Sequence, residues 1–81
     1  MKLIREEFEK FAKEQGLEDG AEAFGVLGLD REEYEEYLSG KKIGRRLLLK
    51  MYENFGVDET INFIAFEAYD WERNVDLFDY I

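Results

Sequence analysis

Five basic residues lie within an eleven-residue stretch, residues 40–50, that contains no acidic residue. They are Lys41, Lys42, Arg45, Arg46 and Lys50. This basic stretch carries a charge of +5, and the rest of the chain carries −14, for a net charge of −9. Arg45 and Arg46 fall in the first turn of a predicted helix, where positive charge opposes the helix dipole. The placement indicates an anionic partner, but solubility or an acidic neighbour in the same chain explains it equally well.

The chain lacks the residue types on which most enzyme chemistry depends. It contains no cysteine and no histidine, which excludes disulfides, zinc fingers and imidazole acid–base catalysis. Apart from tyrosine, its only hydroxyl nucleophiles are Ser39 and Thr60. Four acidic residues between positions 70 and 79 lack the glycine and the carboxylate spacing of an EF-hand loop. The sequence therefore predicts a protein that is not an enzyme and that has no metal or cofactor.

Composition predicts one small acidic domain, residues 1–81. Hydrophobic residues make up 46% of the 81 residues, which is enough for a core. Acidic residues outnumber basic ones 20 to 11, so most of the surface repels a polyanion such as DNA. No apolar run approaches the roughly 20 residues of a membrane span, and the first residues are too charged for a signal peptide. We therefore expect a cytoplasmic protein without membrane contact.

Glycine and aspartate mark the ends of the predicted helices, because the chain has no proline. Apolar residues at helical spacing predict a first helix from residue 3 to about 15, ending before Gly16. Asp19, with a glutamate three residues later, is typical of a helix N-cap. It predicts a short second helix over residues 20–27 that Gly28 ends.

Asp30 repeats this capping pattern and predicts a third helix that ends at Gly40. A stripe of leucine, methionine and aromatic residues predicts a fourth helix over residues 44–55, with Gly56 just past its end.

The last third of the chain predicts one long helix over residues 58–81, since no glycine interrupts it. Its apolar residues are spaced three and four apart, as in the seam of packed helices. We therefore expect it to pack on the domain and to form a homodimer seam. The candidate seam residues are Ile64, Ala68, Trp71, Val75 and Phe78. Apolar and polar residues also alternate over residues 69–77, so a β-hairpin is the alternative. The predicted fold class is all-α, with five helices.

Three short motifs occur in order between residues 20 and 64. They are Leu27-Gly28-Leu29, Gly40-Lys41 and Phe55-Gly56-Val57. Their order and spacing resemble the lambda-repressor-like (Cro/XRE-type) helix-turn-helix family of phage and bacterial regulators. In that family a leucine-glycine-aliphatic turn leads into the DNA-recognition helix. The resemblance implies a small helix-turn-helix domain in which the second and third helices form the motif.

The resemblance also implies site residues. The surface of the recognition helix would consist of Arg31, Glu32, Glu35 and Glu36. The candidates for DNA-backbone contacts would be Lys41, Lys42, Arg45, Arg46 and Lys50. The three glutamates depart from the family, because direct base readout relies mostly on Arg, Lys, Asn and Gln. Gly20 and Phe24 also depart, since the family often has a polar residue and a small residue at these positions.

Three functions remain open from the sequence. The first is a phage- or bacterial-type transcription-regulator-like protein whose own DNA binding is weak or lost and which acts through protein contacts. The second is a functional Cro/repressor-type dimer that contacts phosphates through residues 41–50. The third is an antitoxin-like or DNA-mimicking acidic module whose third helix binds a basic protein surface, such as the DNA-binding face of another regulator. The net charge of −9 disfavours the second.

Overall fold

The computed structural model describes residues 1–68, and within them the chain forms five helices and two short strands. The helices are α1 (Arg5–Glu14), α2 (Gly20–Val26), α3 (Arg31–Leu38), α4 (Arg45–Phe55) and α5 (Val57–Phe63). The strands β1 (Lys2–Leu3) and β2 (Ile64–Ala65) pair antiparallel. The predicted all-α class with five helices is confirmed.

The capping residues that the sequence indicated form the helix ends. The Asp19 carboxylate accepts a hydrogen bond of 2.9 Å from the backbone N–H of Glu22. Asp30 and Glu33 form a full capping box, in which each side chain accepts from the other residue's backbone N–H. These caps satisfy backbone donors that would otherwise have no partner in the first turn of α2 and α3.

All five helices contribute to the core, which is rich in aromatic rings. Phe8 of α1 is fully buried, and its ring centroid lies 4.8 Å from that of Phe63 and 5.4 Å from that of Phe24, both edge-on. Phe24 is also fully buried, 4.9 Å from the ring of Tyr34. The Phe24 side chain therefore fills the space that α1, α2 and α3 enclose.

The prediction of one helix over residues 58–81 is wrong, because α5 ends at Phe63. The next residue, Ile64, is extended, with φ −111° and ψ 131°, and β2 begins there. Leu3 of β1 lies opposite it, and the N–H of Ile4 donates to the carbonyl of Phe63 at 2.9 Å. This pairing satisfies the backbone groups of an extended segment, so the helix ends without a glycine.

The first candidate seam residue, Ile64, does not lie in the predicted helix. Ile64 is only 3% exposed and lies in a strand, so it does not share an exposed helical stripe with Ala68. Trp71, Val75 and Phe78 lie outside the described residues, as does the alternative hairpin. The first predicted helix also starts later than expected, since Lys2–Leu3 forms β1.

Candidate interaction surface

A tight turn, stabilised by hydrogen bonds, joins α2 to α3. Gly28 has a φ of 81°, a left-handed conformation that suits glycine, and it follows the last residues of α2. The N–H of Leu29 donates to the carbonyl of Phe24 at 3.0 Å, which closes a Schellman turn. The chain reverses here and enters the capping box of α3 within two residues.

A polar contact inside the fold joins α3 to α1 and α2. The hydroxyl of Tyr34 donates to the Glu9 carboxylate at 2.5 Å, and the backbone N–H of Gly20 donates to the same oxygen at 3.0 Å. A Cβ at Gly20 would collide with the Tyr34 phenol and the Glu9 carboxylate. This contact therefore leaves no room for a side chain at residue 20.

Burial, followed by the hydrogen bond to Glu9, raises the pKa of Tyr34 above its ordinary value near 10. The folded chain thus holds the phenol proton more tightly than the unfolded chain does. The contribution of the Tyr34 phenol to the free energy of unfolding is fully present below pH ~10, and it is lost as the pH rises beyond that value.

Tyr34→Phe should lower the free energy of unfolding by about 1–3 kcal/mol at pH 7, because the Glu9 carboxylate loses its hydroxyl donor. Between about pH 9.5 and 11, the free energy of unfolding of the Tyr34→Phe chain should fall less than that of the native chain. Urea denaturation at several pH values measures both effects. Tyr37→Phe is the control, and it should change stability by less than about 0.5 kcal/mol. Equal pH dependence of native and Tyr34→Phe chains would contradict this assignment.

The outward side of α3 is almost entirely acidic. Its exposed side chains are Arg31, Glu32, Glu35 and Glu36. Arg31 donates to the Asp19 carboxylate at 3.0 Å, which ties the one cation of this surface to the N-cap of α2. Hydrogen bonds from the Glu22 backbone and from Arg31 lower the pKa of Asp19. We call Glu32, Glu35 and Glu36 the α3 acidic face.

The basic stretch lies next to this face and partly neutralises it. The ammonium of Lys41 is 3.1 Å from the Glu36 carboxylate and 5.1 Å from the centre of the Tyr37 ring. The hydrogen bond from Lys41 to Glu36 raises the pKa of the lysine. The sequence had left open an acidic neighbour within the chain, and for Lys41 that neighbour is Glu36.

The other basic residues are exposed around the start of α4. They are Lys42, Arg45, Arg46 and Lys50. Gly44 caps α4 without a side-chain hydrogen bond, and Arg45 and Arg46 occupy the first turn, as predicted. Ile43, between the lysines and the helix, is buried, and its N–H donates to the carbonyl of Met1 at 2.8 Å. This bond holds the loop against the first residues of the chain.

A shallow cleft of about 290 Å³ separates α3 from α4. Leu29 and Tyr37 line one side of it, and Gly44, Arg46, Leu47 and Lys50 line the other. We call it the α3–α4 cleft. The sequence does not reveal this cleft, because Tyr37 and Leu47 have the same helical spacing as the core residues of α3 and α4.

The hydroxyls of the two candidate nucleophiles each donate a hydrogen bond to a backbone carbonyl four residues earlier in the chain. Thr60 is fully buried, and its hydroxyl donates to the carbonyl of Gly56 at 2.7 Å. The Ser39 hydroxyl donates to the carbonyl of Glu35 at 2.9 Å.

Within residues 1–68, no group of three or more acidic side chains is arranged to hold a metal ion. In the same part of the chain, no helix has the length and apolar character to cross a membrane.

No family model, curated protein or solved structure matches this chain.

Proposed function

We propose that this chain is a transcription-regulator-like protein of helix-turn-helix organisation, of phage or bacterial type, that acts by binding a protein rather than DNA. In this proposal α2 and α3 correspond to the helix-turn-helix pair, and the α3 acidic face contacts a basic surface of the partner. The protein works in the cytoplasm and is not an enzyme. The basic surface belongs to another regulator or to another DNA-binding protein, and the acidic face takes the place of DNA on it.

The observation that carries this proposal is the charge of the α3 surface. Its only exposed cation, Arg31, is bound to Asp19. Within residues 1–68, the exposed carboxylates of Glu32 and Glu35 form no ion pair. A helix that enters the major groove passes between two phosphate backbones. Carboxylates on its outward side oppose that approach and favour a cationic partner instead.

One observation favours the alternative, a Cro-type protein that binds DNA. Lys42 and Arg46 are exposed at the start of α4, where the helix dipole also attracts anions, and Lys50 is exposed one turn further along. These residues could contact phosphates even if α3 reads no bases. DNA binding of this kind would be weak, non-specific and strongly dependent on salt.

Binding of a cationic peptide tests the location of the docking surface. Titration of the ¹⁵N-labelled chain with octalysine at low salt should shift the amide signals of Glu32, Glu35 and Glu36 most strongly. Exposed glutamates elsewhere, such as Glu14 and Glu53, serve as internal controls. Shifts of equal size at all exposed glutamates would show that only the net charge attracts the peptide, and would contradict the proposal.

A further inference from the structure

The α3–α4 cleft differs in charge from a second cleft of the described residues. Two charged side chains line the α3–α4 cleft, Arg46 and Lys50, and both are exposed cations. The second cleft lies between α1 and α5, and three carboxylates, those of Glu7, Glu14 and Glu59, line it together with one lysine. Of the two, the α3–α4 cleft is therefore the one that attracts an anionic occupant.

Part of the lining of the α3–α4 cleft is apolar. Leu29 and Tyr37 are half-buried, so each keeps some accessible surface at the cleft. Covering that surface removes it from water, which favours binding. An occupant that carries both carboxylates and large apolar side chains would therefore match the two kinds of lining residue.

The sequence that follows the described residues has this combination. Residues 69–81 contain four acidic residues and one basic residue, for a net charge of −3. Most of the other residues in this range have large apolar or aromatic side chains. They are Tyr69, Trp71, Val75, Leu77, Phe78, Tyr80 and Ile81. Covering part of this apolar surface is favourable, as it is for the cleft.

The path of the described chain leads towards the cleft. β2 ends at Ala65, which pairs with Lys2 of β1. The residue before Lys2 is Met1, whose carbonyl accepts the 2.8 Å hydrogen bond from the N–H of Ile43. Ile43 is followed directly by Gly44, which lines the cleft. A chain of thirteen residues spans up to ~45 Å when extended, so residues 69–81 are long enough to reach the cleft.

We propose that residues 69–81 bind in the α3–α4 cleft of the same chain, with carboxylates near Arg46 and Lys50 and apolar side chains on Leu29 and Tyr37. Attachment to the domain gives these residues an effective concentration on the order of millimolar, so weak contacts suffice. A separate acidic peptide lacks this advantage, and the net charge of −9 repels it. Charge and attachment together select the chain's own residues as the occupant.

This contact covers two residues that the DNA-binding alternative assigns to phosphates. With carboxylates bound at Arg46 and Lys50, the start of α4 offers less positive charge to a nucleic acid. The inference does not depend on the partner of the α3 acidic face, because no residue of that face lines the cleft.

The fluorescence of Trp71, the only tryptophan in the chain, tests this contact. In the native chain, acrylamide should quench Trp71 less than it quenches free N-acetyltryptophanamide. In the cleft variant, Arg46→Glu with Lys50→Glu, quenching should rise by roughly two- to threefold, because the reversed charges repel residues 69–81. Both substituted side chains are exposed, so the far-UV circular dichroism should not change.

Lys10→Glu with Lys13→Glu is the matched control, since it changes the net charge equally at exposed positions on α1. Its quenching should equal that of the native chain. Equal rises in both variants, or a native Trp71 as accessible as the free compound, would overturn the inference. Dilution from about 100 to about 1 µM should not change the quenching, because the contact is intramolecular. A rise on dilution would assign the cleft to residues 69–81 of a second copy and would also overturn it.

A spin label locates residues 69–81 without altering the cleft. The chain has no cysteine, so Asn74→Cys can carry a nitroxide at a single site. In the ¹⁵N-labelled chain, the amide signals of residues 44–50 should broaden more than those of Lys10 and Lys13. Strongest broadening in any other part of residues 1–68 would contradict the contact. Octalysine mapping of the α3 acidic face is a separate measurement, so its failure and the failure of this inference are distinguishable.

Discussion

The chain in which Glu32, Glu35 and Glu36 are all replaced by glutamine should bind duplex DNA that the native chain does not bind measurably. A carboxylate and a phosphate about 4 Å apart in water repel each other by ~1 kcal/mol. Removing three such charges should therefore tighten binding by roughly 100-fold. Loss of the Glu36 charge also releases Lys41 from its ion pair, which adds one candidate phosphate contact.

Fluorescence anisotropy of a labelled random-sequence duplex measures this gain. The control is the triple variant Glu14→Gln, Glu53→Gln and Glu59→Gln, which changes the net charge equally at exposed positions on α1, α4 and α5. It should gain less than about tenfold, because these carboxylates lie outside α3. Equal gains by both variants would mean that total charge alone limits DNA binding. No gain by the α3 variant would contradict a helix-turn-helix organisation.

Replacement of Gly20 by alanine should strongly destabilise the fold. The new methyl group would overlap the Tyr34 phenol and the Glu9 carboxylate, which hold each other in place. Overpacking and the strained hydrogen bonds should together cost about 2–4 kcal/mol. For a domain of this size, the melting temperature should fall by roughly 10–25 °C.

Gly25→Ala provides the matched control within the same helix. A Cβ at Gly25 meets open space, so the substitution should be neutral or should stabilise α2 by up to ~1 kcal/mol. Thermal unfolding followed by circular dichroism compares the two variants. If Gly20→Ala were as stable as Gly25→Ala, α1, α2 and α3 would not pack as described here.

The helix boundaries could be read from the sequence wherever they depend on local chemistry. Asp19 and Asp30 cap α2 and α3 with their own side chains, and Gly28 supplies a left-handed turn. Such signals lie within four residues of the boundary that they define. The predicted ends of the first four helices are therefore correct to within about two residues.

The end of α5 depends on a distant part of the chain and could not be predicted in this way. Residues 58–63 continue the helical pattern, but Ile64 pairs with Leu3, about sixty residues earlier in the sequence. A local pattern of apolar residues three and four apart cannot reveal that pairing. The spacing of Ile64 and Ala68 therefore predicted a helix that tertiary contacts replace with a strand.

The candidate site was predictable in composition but not in its contacts. The sequence identifies the α3 glutamates and the basic stretch as separate groups of charge. The ion pairs from Arg31 to Asp19 and from Lys41 to Glu36 join residues 12 and 5 positions apart. The turns around Gly28 and Gly40 bring these side chains together, and helical spacing alone does not give that geometry.

The most direct test of the central claim is the titration of the native chain against a labelled random-sequence duplex at about 20 mM salt. We expect no change in anisotropy up to about 100 µM protein, because the α3 acidic face repels the phosphates. Binding whose log–log salt slope is roughly −0.9 per phosphate contact, and which weakens in Arg46→Gln or Lys50→Gln, would contradict it. That result would establish a DNA-binding surface at the start of α4.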